Sequence, residues 1–269
     1  MIRYVVASML AAFGARALAA DAPEPQKLTD VEAIVARANV AAYYQGSDGR
    51  AKVSMRITDK QGQVREREFV IVRKDATDGG DQKYFVYFQK PADVRRMAYM
   101  VHKYVQPGKD DDRWLYMPSL DLVKRIAASD KRTSFVGSHF LYEDVSGRSL
   151  AEDAHELVET NEQFYVVKNT PKKPESVEFG HFTVAIDRKT FMPMKMEFFD
   201  KGGKLYRTIE SKKVETIQGF PTATQAVVTD LNTGGRTEMQ FSDIQYDLKL
   251  TDDIFTERYL RRPPKEAVR

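Results

Sequence analysis

Along most of the chain, apolar and polar residues alternate with a period of two. Ala51, Val53, Met55 and Ile57 are interleaved with Lys52, Ser54, Arg56 and Thr58, the pattern of an antiparallel strand buried on one face. Asp59-Lys60-Gln61-Gly62 turns this strand into a second that runs through residues 69–72, and Gly79-Gly80 lies in the next loop. Further strands are predicted at residues 84–88, 97–105, 156–159, 163–169, 177–186, 193–199, 204–209, 222–229 and 237–244. Their connections carry hairpin residues, among them Thr160-Asn161-Glu162, Asp187-Arg188-Lys189, Lys201-Gly202-Gly203 and Asn232-Thr233-Gly234-Gly235. Ten or more strands spaced this regularly predict one continuous, curled antiparallel sheet rather than alternating βαβ units. Tyr84-Phe85-Val86-Tyr87-Phe88 breaks the alternation, which fits either a strand covered on both faces or an aromatic cavity wall.

A helical period holds over residues 29–42, where Thr29-Asp30-Val31-Glu32 forms a capping-box pattern and Val31, Ile34, Val35, Ala38 and Ala42 make one apolar stripe. Such a helix must lie on something. A second short helix is predicted around residues 140–145, and the tail at 252–262 gathers Ile254, Phe255, Tyr259 and Leu260 into an apolar clamp before Pro263-Pro264. The expected fold is mainly β with a few helices: a single domain, residues 28–269, built as an incomplete, half-open β-barrel with helices in its mouth.

Residues 1–19 read as a secretory leader, with Arg3 in the charged region, a short apolar run at 5–13, and Ala17-Leu18-Ala19 as the cleavage site. Residues 20–27, with Pro23 and Pro25, form a polar linker. The chain has no cysteine, so there is neither a thiol to carry a lipid anchor nor a disulfide. The mature protein is therefore expected to begin near Ala20 and to be soluble in the periplasm. Losing Arg3 and Arg16 with the leader leaves the mature chain near neutral, which argues against nucleic acid as a partner.

Catalytic patterns fail one by one. His102, His139, His155 and His181 lie far apart, and His155-Glu156 lacks the second histidine of a zinc-protease helix because position 159 is glutamate. Gly137-Ser138-His139 lacks the glycines of a nucleophile elbow, and Gly108-Lys109 is not a phosphate-binding loop. Asp110-Asp111-Asp112 lacks the alternating spacing of a calcium loop and reads as a solvated turn. No enzyme activity and no cofactor is expected. What rises above background is the aromatic and methionine load: Phe85, Tyr87, Met97, Tyr99, Trp114 and Tyr116, the run containing Phe135, Phe140 and Tyr142, and the same-face set Met194, Met196 and Phe198. These residues suit either a packed core or an adaptable apolar cavity. Lys124, Arg125, Lys131 and Arg132 beside that run are either solvated charges or a rim that meets lipid head groups or an acidic membrane partner.

The stretch at 110–144 carries a resemblance. Trp114-Leu115-Tyr116-Met117-Pro118, then Lys124-Arg125-Ile126, then Ser134-Phe135-Val136-Gly137 and Phe140-Leu141-Tyr142-Glu143-Asp144 resembles the signature of LolA-like outer membrane lipoprotein-sorting proteins. Pro91-Ala92-Asp93, the hairpin from Asp187 through Thr190 and Pro193 to Glu197-Phe198-Phe199-Asp200, and Phe255-Thr256 with Leu260 extend the likeness over nearly all of the mature chain. Arg96 and His139 depart from the pattern, in the loops between strands. The resemblance implies an incomplete β-barrel that holds the acyl chains of a lipid or lipoprotein, working with an RND-type exporter or an outer-membrane acceptor. The competing expectation is a periplasmic docking subunit of an exporter whose interior is fully packed.

Overall fold

The computed structural model describes residues 28–268; the expected leader and the linker at 20–27 lie outside the described residues. Helix α1 (Val31–Tyr43) leads into six strands, β1 (Asp48–Thr58), β2 (Val64–Asp75), β3 (Gln82–Lys90), β4 (Ala98–Lys103), β5 (Asp112–Met117) and β6 (Leu122–Ile126). A crossover at residues 127–152, containing the short helix α2 (Tyr142–Ser146), leads to seven more. These are β7 (Asp153–Thr160), β8 (Phe164–Pro171), β9 (Phe179–Asp187), β10 (Pro193–Asp200), β11 (Leu205–Ile217), β12 (Phe220–Asp230) and β13 (Arg236–Tyr246). Two helical turns, α3 (Glu257–Arg261) and α4 (Lys265–Val268), end the described chain.

All the strands join one antiparallel sheet in the order β6-β5-β4-β3-β2-β1-β13-β12-β11-β10-β9-β8-β7. The sheet is two meanders joined at β1 and β13, and it stays open between the edge strands β6 and β7. The α1 cap is Asp30, whose carboxylate accepts from the Glu32 and Ala33 amides at 3.0 and 3.4 Å, one residue beyond the threonine that opens the capping pattern. The apolar stripe Ile34, Val35 and Ala38 packs on Tyr165, Val167, Phe182 and Ile186 inside the curl.

The two meanders are filled differently. In the first, alternation sends Val53, Met55, Phe69, Val86, Phe88, Tyr99 and Leu115 to the inner face. There they meet Phe135, Phe140 and Tyr142 of the crossover, which folds back into the curl as a plug. Phe135 is the centre of that plug, 5.5 Å from the Tyr99 ring, 5.6 Å from Tyr142 and 5.8 Å from Phe88. The other face of the same strands carries Val70, Val72, Phe85, Met100 and Tyr116, covered by Leu250, Ile254, Phe255 and Leu260 of the tail. Strand β3 is thus buried on both faces, which is why its apolar run shows no alternation.

Candidate functional site

Helix α1 is tied to the sheet at both ends. At its start the Leu28 amide donates to the Tyr165 hydroxyl at 3.0 Å. At its end the Arg73 guanidinium donates to the carbonyls of Tyr43, Gln45 and Gly46 at 2.6, 2.6 and 2.9 Å, serving oxygens that a helix terminus leaves unpaired. The Gln45 amide group donates to the Ala41 and Pro221 carbonyls, and its oxygen accepts from the Thr222 and Tyr246 hydroxyls at 3.2 and 3.1 Å.

Between these anchors the helix stands off the second meander and leaves a cavity of about 320 Å³. Its walls are Ala41, Ala42 and Tyr43 of α1, Ile71 of β2, Met192 before β10, Met196, Ile209, Ala226, Phe241 and Ile244, with Phe140 and Val145 from the crossover. A smaller cavity of about 100 Å³ lies beside it, walled by Val35, Ala38, Asn39, Val167, Phe182, Val184 and Ile186. Ala42, Tyr43, Pro193 and Met196 border both. The linings are mainly apolar, so the space favours hydrocarbon over water.

A bulge sets which methionine faces this space. Pro193 pairs with Ile186 and Met196 with Val184, so the register slips by one residue between Pro193 and Lys195. Pro193 and Met196 thereby share the cavity face, and Met194 borders neither cavity. The turn before them is built by Asp187, whose carboxylate accepts from the Lys189 and Thr190 amides and the Thr190 hydroxyl at 3.0, 2.8 and 2.8 Å. Those are the residues of the hairpin motif in the sequence, and they hold Met192 and Pro193 against α1.

The other sequence-predicted wall residues fall into three groups. Phe140 and Met196 line the larger cavity. Phe135 and Tyr142 belong to the plug, Met97 and Tyr99 pack in the same cluster from the sheet side, and Phe198 is buried in the core under α1. Phe85, Tyr87, Trp114 and Tyr116 lie on the opposite face, beneath the C-terminal tail. The register gives the reason: Trp114 pairs with Met100 and Met100 with Phe85, so all three share a face, while Leu115, Tyr99 and Val86 point inward. Sequence reading passed over Phe241, Ile244 and Tyr246 of β13. Their signal is an apolar alternation left half-exposed, interrupted at Asp243, a left-handed residue at φ 47° where the pairing with β1 shifts register.

The expected basic rim divides as well. Lys124 and Arg125 are exposed on the edge strand β6, Arg125 pairing with Asp112. Lys131 and Arg132 instead point into the protein. Glu143, itself buried, accepts from Lys131 at 3.3 Å, from Arg148 at 3.3 Å and from Arg132. Arg132 also reaches Glu178, and lies 4.8 Å from the centre of the Phe179 ring. Arg207 completes the layer by pairing with Asp144. Burial pushes the Glu143 carboxyl up, but Arg132, Lys131 and Arg148 outweigh it and hold the group below the ordinary carboxylate range. The pairs on Glu143 brace the crossover internally, and Arg132–Glu178 and Asp144–Arg207 fasten it to the second meander.

The histidines are used up in structural contacts. His155 bonds to Asn169 at 2.7 Å, His139 to Thr237 at 2.9 Å and His102 to the Phe255 carbonyl at 2.8 Å, while His181 stacks on Phe199. Within Asp110-Asp111-Asp112, Asp111 binds Arg113 at 2.5 Å and Asp112 accepts from Tyr104 at 2.9 Å. Among the described residues no group of side chains has the makings of a metal site, and no helix is long and apolar enough to cross a membrane.

Comparison with known proteins places this architecture. A family model described only as uncharacterized-protein-like matches residues 80–262, more than half of the chain. A DUF1329 family protein from Desulfovibrio piger is 27% identical, with a TM-score of 0.78 over 86% of this chain and 98% of that one. A structure described as an outer membrane lipoprotein-sorting protein domain from Vibrio parahaemolyticus is also 27% identical, with a TM-score of 0.75 over 86% of this chain and 96% of that one. The chain belongs to the family that this model describes, and it is similar to LolA-like lipoprotein-sorting proteins. A LolA superfamily protein from Nitrosomonas europaea, 21% identical with a TM-score of 0.65 over 85% of this chain and 98% of that one, shares the fold of this LolA-like chain. No curated protein matches it. In the LolA-like signature, Gly137 at φ 75° makes the turn that drives Phe135 into the plug, and Glu143-Asp144 supply the carboxylates that pin the crossover.

Proposed function

We propose that this LolA-like protein is a periplasmic carrier that takes the acyl chains of a lipid or lipoprotein into the cavity under α1. The carrying observation is the mainly apolar cavity of about 320 Å³ enclosed by α1, the crossover and strands from both meanders. Exposing an acyl chain of about 14 methylenes to water costs on the order of 11 kcal/mol, so a soluble shuttle needs such a dry compartment. The leader-like residues 1–19 and the absence of a lipid-anchoring cysteine support a soluble periplasmic protein, and the similarity to an outer membrane lipoprotein-sorting protein domain supports a carrying role; delivery between membranes or to and from an RND-type exporter is part of the same proposal.

The competing reading, a docking subunit with a packed interior, draws support from the plug, which fills the first meander. The second meander argues the other way, because Met196, Ile209 and Phe241 are only partly buried at the centre of the curl. Native mass spectrometry of gently purified protein separates the two. A carrier retains a co-purified lipid or takes one up on incubation with lipid; protein that stays bare in both experiments would sink the carrier reading.

A further inference from the structure

Two cavities of the proposed carrier lie side by side under α1 and share part of their lining. Tyr43, the last residue of α1, and Met196 of β10 border both spaces, one from the helix side and one from the sheet side. Tyr43 is held in place. A Cβ added to Gly147 would come within 2.5 Å of its ring, so only glycine lets the crossover pack this closely, and the Lys103 ammonium lies 5.0 Å from the ring centre on the same residue. Pro193 is fixed by its own ring and by the bulge beside it. The divider is therefore a built feature of the fold, while the lobes on either side are unequal, about 320 and 100 Å³.

Resting on the carrier reading, we infer that the site takes amphiphiles with two acyl chains, one chain in each lobe astride Tyr43 and Met196. A single linear chain would occupy one lobe and leave the other without a partner. Two chains leaving one head group pass on either side of the divider, and the unequal lobes favour a long and a short buried segment. Substrate choice is then made by chain number, with Tyr43 as the residue that separates the chains.

The test compares dioctanoyl-phosphatidylcholine with palmitoyl-lysophosphatidylcholine below their micelle concentrations, by displacement of a fluorescent fatty-acid probe. The two share a head group and a total number of acyl carbons and differ in chain number. Wild-type protein should bind the diacyl lipid at least tenfold more tightly. Ala38→Leu and Asn39→Phe both fill the smaller lobe, the second from a half-exposed position that places little demand on folding. In each, the diacyl-to-monoacyl affinity ratio should fall by tenfold or more, whereas Ala226→Phe, in the larger lobe, should weaken both lipids together. Equal affinity of the wild type for the two lipids, or a ratio untouched by both small-lobe variants, would overturn the two-chain assignment and leave the carrier reading standing. No binding of either lipid would overturn the carrier reading itself.

Discussion

The Arg132 guanidinium grips Glu178 through two parallel bonds, Nε to Oε2 at 2.7 Å and Nη2 to Oε1 at 2.6 Å, across 46 residues of sequence. This fork ties the crossover to the start of β9 and has a consequence in acid. Burial raises the Glu178 carboxyl, but the hydrogen bonds and charge of Arg132 outweigh it and bring the group from 4.5 down to about 2. A carboxylate with a lower pKa folded than unfolded stabilises the fold fully above its unfolded value and loses that contribution as pH falls through its folded one. Glu143 shifts in the same direction. The melting temperature should therefore fall as pH drops from about 4.5 to about 2. Glu178→Gln should make that fall shallower; an identical slope in the variant would remove Glu178 from the account.

Phe135 is 1% exposed at the centre of the plug. Phe135→Ala should cost about 3–5 kcal/mol in chemical denaturation, the usual range for truncating a fully buried aromatic. A cost below about 1 kcal/mol would mean that the plug is loosely packed.

Met196 is the contrasting case, a half-buried side chain that faces space rather than neighbours on one side. Met196→Ala should cost well under the roughly 2–5 kcal/mol of a core methionine, because it enlarges an existing void, and it should weaken lipid binding. A full core-sized loss with unchanged binding would favour the docking-subunit reading.

The lone tryptophan should be silent toward cargo. Trp114 packs on the tail side of β5, 5.0 Å from the His102 ring, with the whole sheet between it and the cavity. Its emission should not move when lipid binds. Phe241→Trp in a Trp114→Phe background puts an indole in the larger cavity, and there lipid should shift emission to shorter wavelength. A response from Trp114 with none from position 241 would reverse the assignment of faces.

The strands were legible because half-buried β-structure writes itself as alternation, and the helix because Ile34, Val35 and Ala38 keep a helical period. Which face looks inward was not legible. In β3 to β5 both faces are apolar, one against the plug and one against the tail, so Trp114 and Leu115 are equivalent in the sequence and opposite in the structure. The fate of Lys131 and Arg132 was hidden for a different reason. Glu143 and Glu152 meet Lys131 only through the internal fold of the crossover, and Glu178 meets Arg132 only when the crossover docks on the second meander. The cavity wall on β13 was only partly readable: Ile244 and Tyr246 alternate with a polar neighbour, but Phe241 joins their face only through the irregularity at Asp243, where the pairing with β1 shifts register.

The pairing of β1 with β13 governs how the molecule must assemble. Every other neighbouring pair of strands follows directly in sequence, so each meander can zip locally from its own turns. The β1–β13 ladder, by contrast, joins Gly49 to Tyr246 and can form only after nearly the whole chain has been gathered. Larger cavity residues come from both sides of that seam: Ile71 from one meander, Ile209 and Ala226 from the other. The larger cavity is consequently absent from either half alone and is completed only when the longest-range ladder of the sheet closes.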